Sequence, residues 1–294
     1  MRTFLDCIPC FIRQALEAAR LATDDEVIHA QVLREALRMV SSLDPHTTPP
    51  ALGQGLHRLI RQLTGNDDPY RAVKQRFNAL ALHMYPRLRR RIEEADDPFA
   101  TAARLAIAGN VIDSGIDNRL DEADVEDAVQ HALWAPIRGN PAAFREAIAS
   151  AGDILYLADN AGEIVLDRFL IEQMPLEKVT VAVRGRPVLN DATMEDAEAA
   201  GLTRLVRVID NGSDAPGTLL EDCSEEFRRL FDRADLIVSK GQGNYETLSG
   251  AGKPIFFVLK AKCPVIARHL GCQVGDLVLR TTWVPRQPAL LTRT

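Results

Sequence analysis

Six short β-rich apolar runs fill the second half of the chain, at residues 153–158, 178–183, 205–209, 234–239, 254–259 and 276–279. Amphipathic segments of about 10 to 15 residues lie within the 14- to 24-residue intervals between them, long enough for one crossover helix each. A run that is apolar on both faces must be covered on both faces, which requires helices on either side of a parallel sheet. Residues 151–282 are therefore predicted to form an α/β domain: a parallel-sheet, three-layer (Rossmann-like) arrangement built from βαβ units.

The first half carries a different period. Phe11, Ile12, Ala15, Leu16 and Ala19, and again Val27, Val32, Leu33, Ala36, Leu37 and Val40, recur at helical spacing. Breaks fall at Asp44-Pro45, Pro49-Pro50, Gly65-Asn66-Asp67-Asp68-Pro69, Asp97-Pro98 and Gly139-Asn140-Pro141. There Pro and Gly interrupt one helix, and Asp or Asn caps the next. Residues 1–150 are predicted to be an N-terminal helical bundle domain, and 283–294, with two prolines and no period, a loose tail.

Composition narrows the class of partner. In a chain of 294 residues the net charge of −6 argues against a nucleic-acid surface, which draws Lys and Arg clusters. The basic run at Arg87, Arg89, Arg90 and Arg91 is followed by Glu93, Glu94, Asp96 and Asp97, the pattern of a solvated helix end. No apolar stretch approaches the ~20 residues of a membrane span, and the N-terminus has no signal-peptide run, so a cytoplasmic protein with no membrane partner is expected. The odd number of cysteines, five, suits reduced thiols. Cys7-Ile8-Pro9-Cys10 lacks the second C-x-x-C of a zinc site and reads as a packed helix start.

In an open parallel sheet the ligand site lies beyond the carboxyl ends of the strands. The residues there are strongly polar: Asp159-Asn160-Ala161-Gly162-Glu163, then Arg184 through Asn190-Asp191, Asp210-Asn211-Gly212, Lys240-Gly241-Gln242-Gly243-Asn244, and Lys260-Ala261-Lys262-Cys263. Any one such loop is explained by capping and tight turns. Five at one end of a sheet point to a site. Asp159, Asn160 and Asp191 offer two carboxylates and an amide oxygen, the hard-oxygen set that suits Mg²⁺, Mn²⁺ and related ions. The plainer reading of Asp191 is a cap on a helix beginning near Ala192. Lys240 before Gly241 and Gly243 resembles a phosphate cradle, although the order of a Walker A loop is absent.

Taken together, Cys7-Ile8-Pro9-Cys10-Phe11, Ala108-Gly109-Asn110-Val111-Ile112-Asp113, Asp159-Asn160-Ala161-Gly162-Glu163, the Arg184-Gly185 to Asn190-Asp191-Ala192-Thr193 segment, Lys240-Gly241 with Gly243-Asn244, and Lys262-Cys263 resemble the damage-control phosphatase family, in its small prokaryotic branch with an N-terminal C-x-x-C. The resemblance spans nearly the whole chain. It implies a divalent metal, Mn, Co, Ni or Mg, held by Asp159, Asn160 and Asp191, with a phosphate gripped by Lys240.

The expected activity is hydrolysis of a phosphate monoester of a small phosphorylated metabolite, in a damage-control or housecleaning role. Asp159 is expected as metal ligand or as nucleophile, and Glu163 as a supporting group or proton carrier. Arg184 is expected as a second phosphate clamp, with Gly241 and Asn244 in the phosphate cradle. Asn110 and Asp113 are expected to reach the cleft from a Gly-Asn turn in the helical half. An S-adenosylmethionine-dependent carboxyl methyltransferase is the alternative, weakened because the first strand ends in one glycine and two acids. A non-enzymatic phosphometabolite-binding module is the third reading.

Overall fold

A computed structural model describes residues 1–112 and 122–282. In chain order its elements are α1 (Cys7–Ala22), α2 (Glu26–Ser41), α3 (Pro49–Thr64), α4 (Arg71–Glu93), α5 (Pro98–Ile112), α6 (Glu122–Trp134), β1 (Ile137–Gly139) and α7 (Pro141–Ser150). There follow β2 (Ile154–Leu157), α8 (Glu163–Ile171), β3 (Val179–Val183), α9 (Met194–Ala199), β4 (Arg207–Asp210) and α10 (Glu225–Arg233). The last are β5 (Leu236–Lys240), α11 (Gly241–Leu248), β6 (Ile255–Lys260), α12 (Pro264–Leu270) and β7 (Leu277–Thr281). The expected tail at 283–294 lies outside the described residues.

The helix starts follow from local chemistry. The Thr48 hydroxyl accepts from Ala51 N at 3.3 Å with Pro49 as the first residue of α3, and Gly65 ends that helix in the left-handed region at φ 66°. Asn140 does the same for α7, accepting from Ala143 N at 3.1 Å ahead of Pro141. These are the breaks that the Pro and Gly positions predict. Asp44-Pro45 likewise falls between α2 and α3, and Asp97-Pro98 between α4 and α5.

The strands form one sheet in the order β1-β7-β6-β5-β2-β3-β4. Adjacent strands run parallel except β6 and β7, which pair antiparallel. Two features differ from the sequence reading: β1 is a strand in the half expected to be helical, and β7 reverses direction. β1 has only three residues at the sheet edge, too few to show a period, and β7 follows α12 through a short connection rather than a full crossover.

Alternate strand residues enter different cores, as a pleat demands. Ile154, Tyr156, Val181, Val238, Phe256 and Val258 face one side, where they pack with Phe77, Met84 and Leu88 of α4, with α5, with Phe144 of α7 and with Phe169 of α8. Leu155, Leu157, Ile237, Phe257 and Leu259 face the other, under Phe227 and Phe231 of α10, Tyr245 of α11 and Ile266 of α12. This is a three-layer α/β/α structure, and one of its covering layers joins α4, α5 and α7 from the first half of the chain to α8 from the second. A third cluster joins α1, α2 and α3 through Phe11, Ala15, Val32, Leu56 and Ile60.

The connections place the site. From β2 the chain proceeds to β3 and β4 on one side, then returns to β5 on the other. The chain reverses between β2 and β5, and the carboxyl ends of those strands flank the crevice of a topological switch point.

Candidate active site

The first helix residue of α8 is Glu163, so Asp159 to Gly162 form the tight loop that follows β2. This loop clasps the one after β3. Asn160 and Asp191 form an isolated antiparallel bridge, Ala161 N donates to Asn190 O at 2.9 Å, and Ala192 N donates to Asp159 O at 2.8 Å. The bridge brings Asp159, Asn160 and Asp191 together at the switch point. Asp191 does not cap the next helix: α9 begins at Met194 behind a capping box in which the Asp196 carboxylate accepts from Thr193 N and Oγ1, both at 2.8 Å.

Two further elements hold this clasp. Asn78 of α4 accepts from Gly162 N at 2.7 Å and donates to Asp196 Oδ1 at 2.8 Å, tying the α8 entry to the α9 cap. Leu189 occupies the left-handed region at φ 48°, a cost for a residue with a Cβ, and packs against the α1–α3 cluster. On the far side, Gly241 sits at φ 76° where any Cβ would lie 1.8 Å from Asp159 Oδ2. Only glycine allows the start of α11 to close against that carboxylate.

The three residues line a cavity of about 380 Å³. Its other walls come from the α1 end (Cys7, Cys10, Phe11), from α3 (Pro50, Leu52), from Gln242 and Gly243 of α11, and from Lys262 and Cys263 after β6. The helical half thus roofs the polar strand ends. Cys7 and Cys10 do open α1, but they are not packed into its core as expected: Cys10 is exposed and Cys7 half-buried, because α1 buries Phe11, Ala15, Ala18 and Ala19 instead; partial burial raises the pKa of the Cys7 thiol. Among the described residues no three His, Cys, Asp or Glu side chains are grouped as they would be to hold a metal ion.

Electrostatics favour a cation beside the acidic trio. Burial, then Asp191 and Glu163, push Asp159 well above the ordinary carboxylate range, while Arg184 and Lys262 pull it back. Buried carboxylates this crowded lower their energy by binding a proton or a cation. The donors also suit a hard divalent ion. Asn160 Nδ2 donates to Asp159 Oδ2 at 2.8 Å and to Glu163 Oε2 at 3.0 Å, which leaves the amide oxygen on the side away from both.

Other sequence expectations meet a different arrangement. Lys240 is fully buried and absent from the cavity wall. Its ammonium donates to Ala106 O at 2.8 Å, to Glu163 Oε1 at 2.5 Å and to Asp167 Oδ1, and three acceptors exhaust the three donors of a lysine. Burial lowers its pKa, but Asp167 and Glu163 outweigh burial and the net shift is upward. A phosphate clamp needs free donors facing the ligand, and Lys240 has none.

Asn244 is equally committed. Its Nδ2 donates to Lys240 O at 2.8 Å and Ala158 O at 3.2 Å, and its Oδ1 accepts from Arg184 and Thr218. It braces the loops and is buried away from ligand. Arg184 is buried too, donating from Nε to Asp191 Oδ2 at 2.6 Å, with its NH2 nitrogen 3.5 Å from Asp159 Oδ1. It lies beneath the two carboxylates and holds them in place. Gly109 and Asn110 lie within α5, because the helix runs through to Ile112 without the expected turn, and Asp113 lies outside the described residues.

The sequence reading gave no role to Lys262, although it follows the fifth apolar run. It is a cation on the cavity wall that acts on Asp159. Asp167 was also missed. Its signal was a lone acid one turn beyond Glu163 in the otherwise apolar Glu163-Ile164-Val165-Leu166-Asp167-Arg168-Phe169-Leu170-Ile171.

A doubly wound sheet that gathers two acids, an amide and a lysine at its switch point is an α/β protein with a candidate ligand site at its strand ends. The chain belongs to the damage-control phosphatase family: residues 3–278 match the damage-control phosphatase ARMT1-like domain. It is 36% identical to a damage-control phosphatase of Archaeoglobus fulgidus, covering 93% of this chain and 97% of the relative. It is 35% identical to the damage-control phosphatase PH1575 of Pyrococcus horikoshii, over 95% and 97% of the two chains. A crystal structure of a DUF89 family protein from Pyrococcus horikoshii superposes with a TM-score of 0.87 at 33% identity, covering 96% of this chain and 99% of that one.

Proposed function

We propose that this chain is a divalent-metal-dependent phosphatase that hydrolyses a phosphate monoester of a small metabolite. The observation that carries this reading is the convergence of Asp159, Asn160 and Asp191 on one wall of a cavity at the switch point, with Lys262 on the same cavity. Membership of a family whose named relatives are damage-control phosphatases supports it.

Asp159, Asn160 and Asp191 would hold the ion. A hard divalent cation there supplies charge neutralisation for phosphoryl oxygens and lowers the pKa of a bound water. The protein's own part is positioning and charge. Arg184 beneath the two acids keeps them oriented through its bond to Asp191. Lys262 takes the phosphate-facing role that the sequence suggested for Lys240. The first turn of α11, closed against Asp159 by Gly241, adds backbone N–H donors at an anion-favouring helix start.

The cavity volume of about 380 Å³ fits a metabolite, since small-ligand pockets run from roughly 300 to 1,000 Å³. Phe11, Leu52 and Leu189 make its outer wall partly apolar.

Release of phosphate from a generic aryl phosphate, assayed with Mn²⁺, Co²⁺, Ni²⁺ and Mg²⁺ in turn and then with excess chelator, tests the reading. Activity is expected only with metal. Full turnover in chelator would overturn the metal assignment. Lys262→Ala is expected to lower kcat/KM by roughly 100-fold on every accepted ester, the scale of one lost charge-stabilising donor.

A further inference from the structure

The buried group behind the acidic loop has no place in the chemistry described above. Glu163, Asp167 and Lys240 are each fully buried, and none lines the cavity. Glu163 and Asp167 lie one turn apart on α8, and Lys240, the last residue of β5, donates to both. Two acids and one cation in a dry interior carry a desolvation cost that a packed apolar group would avoid, so their presence is weak evidence for a role in stability.

Their geometry points outward along one line. Lys240 holds Glu163 by Oε1, at 2.5 Å, which leaves Oε2 to accept from Asn160 Nδ2 at 3.0 Å. Behind Glu163 stands Gly109 of α5, where an added Cβ would come within 3.1 Å of Glu163 Cγ and 3.2 Å of its Cα. The carboxylate is fixed at one oxygen by charge and backed by a helix. Asn160 is the one member of this chain of contacts that faces the cavity. An amide has a donor end and an acceptor end; Glu163 Oε2 and Asp159 Oδ2 both take the donor end of Asn160, at 3.0 and 2.8 Å, which leaves the oxygen for a ligand.

We infer that Glu163, Lys240 and Asp167 form a positioning cluster that fixes the side-chain amide of Asn160 with its oxygen toward the divalent-cation site. The inference rests on the metal reading of Asp159, Asn160 and Asp191. It makes Glu163 a positioning residue instead of a proton carrier, and Lys240 its anchor. Supporting contacts of this kind typically change metal affinity by about 10- to 100-fold.

The test exploits an asymmetry between carboxylate and amide. The donors that Glu163 faces include Lys240 Nζ and Asn160 Nδ2, one at each carboxylate oxygen. A glutamine keeps one acceptor oxygen in place of two, and the charged Lys240 retains it. The glutamine nitrogen then faces Asn160 Nδ2, donor against donor, and only the bond from Nδ2 to Asp159 Oδ2 at 2.8 Å still holds the amide with its oxygen outward. Asp167 accepts from Lys240 and meets the buried Tyr156 hydroxyl, and an asparagine serves both, its oxygen accepting from Lys240 and its nitrogen facing the phenol oxygen. In each single variant Lys240 retains one carboxylate partner, so no uncompensated buried charge is created.

Mn²⁺ binding is measured by calorimetry on the parent, Glu163→Gln and Asp167→Asn. In the metal-free protein, water exchange of the Asn160 side-chain amide protons is followed by NMR and assigned by loss of the signal in Asn160→Ala. Expected are at least ~10-fold weaker Mn²⁺ binding in Glu163→Gln, near-parent binding in Asp167→Asn, and amide protons that exchange slowly in the parent and fast in Glu163→Gln. Parent-like Mn²⁺ affinity in Glu163→Gln together with lost turnover would overturn the inference and make Glu163 a proton carrier. If the parent takes up no Mn²⁺, the metal reading fails, and the amide exchange alone decides whether Glu163 orients Asn160. Fast exchange already in the parent would refute that orientation.

Discussion

Glu246 shows how the cavity sets the protonation of a side chain that takes no part in the proposed chemistry. It lies in α11, buried on the cavity wall, and burial raises its pKa from 4.5 to about 7 despite a hydrogen bond from Gln242 Nε2 at 3.1 Å. The other charged or titratable groups facing it are the Met1 amine, which donates to the Glu246 backbone carbonyl, and the Cys7 thiol. A carboxyl whose pKa is raised on folding prefers its protonated form in the native state. Stability is therefore lost as pH climbs from the unfolded value through the folded one. Glu246→Gln removes this dependence, because an amide does not ionise. Urea unfolding of parent and variant should show little difference near pH 5, with the variant gaining about 2–3 kcal/mol on the parent by pH 8. A constant difference across that window would mean that Glu246 titrates normally.

At the level of elements, the contact between α5 and α8 sets the depth at which the acidic loop sits. Gly109 makes that contact close, and Gly109→Ala carries two opposing effects. Alanine improves helix propensity by about 1 kcal/mol. Its Cβ would also press at 3.1–3.2 Å on Glu163 Cγ and Cα, the latter being backbone that cannot rotate away. Overpacking of this sort costs about 1–3 kcal/mol, so destabilisation wins. A lowered melting temperature together with weakened Mn²⁺ binding is expected, and a rise in melting temperature would contradict the packing argument.

The same contact marks the limit of what the sequence reveals. Strands, breaks and the Asp159-Asn160-Asp191 trio were legible because apolar runs and strand-end polarity are local signals. The roles of Lys240 and Asn244 were not. A lysine beside glycines looks the same whether its ammonium turns toward a ligand or toward Glu163 and Asp167, and only tertiary packing distinguishes the two. Lys262 was overlooked for the opposite reason: nothing in the neighbouring sequence marks which of Lys260, the last residue of β6, and Lys262, just beyond it, faces the cavity. β1 was too short to show any period, and it forms because β7 offers an edge.

For the whole molecule, the core crosses the boundary expected near residue 150. Phe77, Met84 and Leu88 of α4 and Phe144 of α7 pack in one cluster with Tyr156, Phe169 and Phe256. A fragment of residues 151–282 alone would expose the sheet face and the α8 surface that these residues cover. It is expected to show no cooperative thermal transition, whereas the full chain melts in one step. A fragment that melts sharply would establish an autonomous α/β unit. The strand order has a further effect, one of time. β2 lies between β3, which follows it at once, and β5, which is made only after β4 and α10. During synthesis, one edge of the central strand waits unpaired while its later neighbour is still being translated, and pairings this distant in sequence close slowly. Asp159 and Asn160 leave the ribosome well before Gly241 and Lys262 can meet them, so the candidate site stays incomplete until β6 and the loop after it have been made.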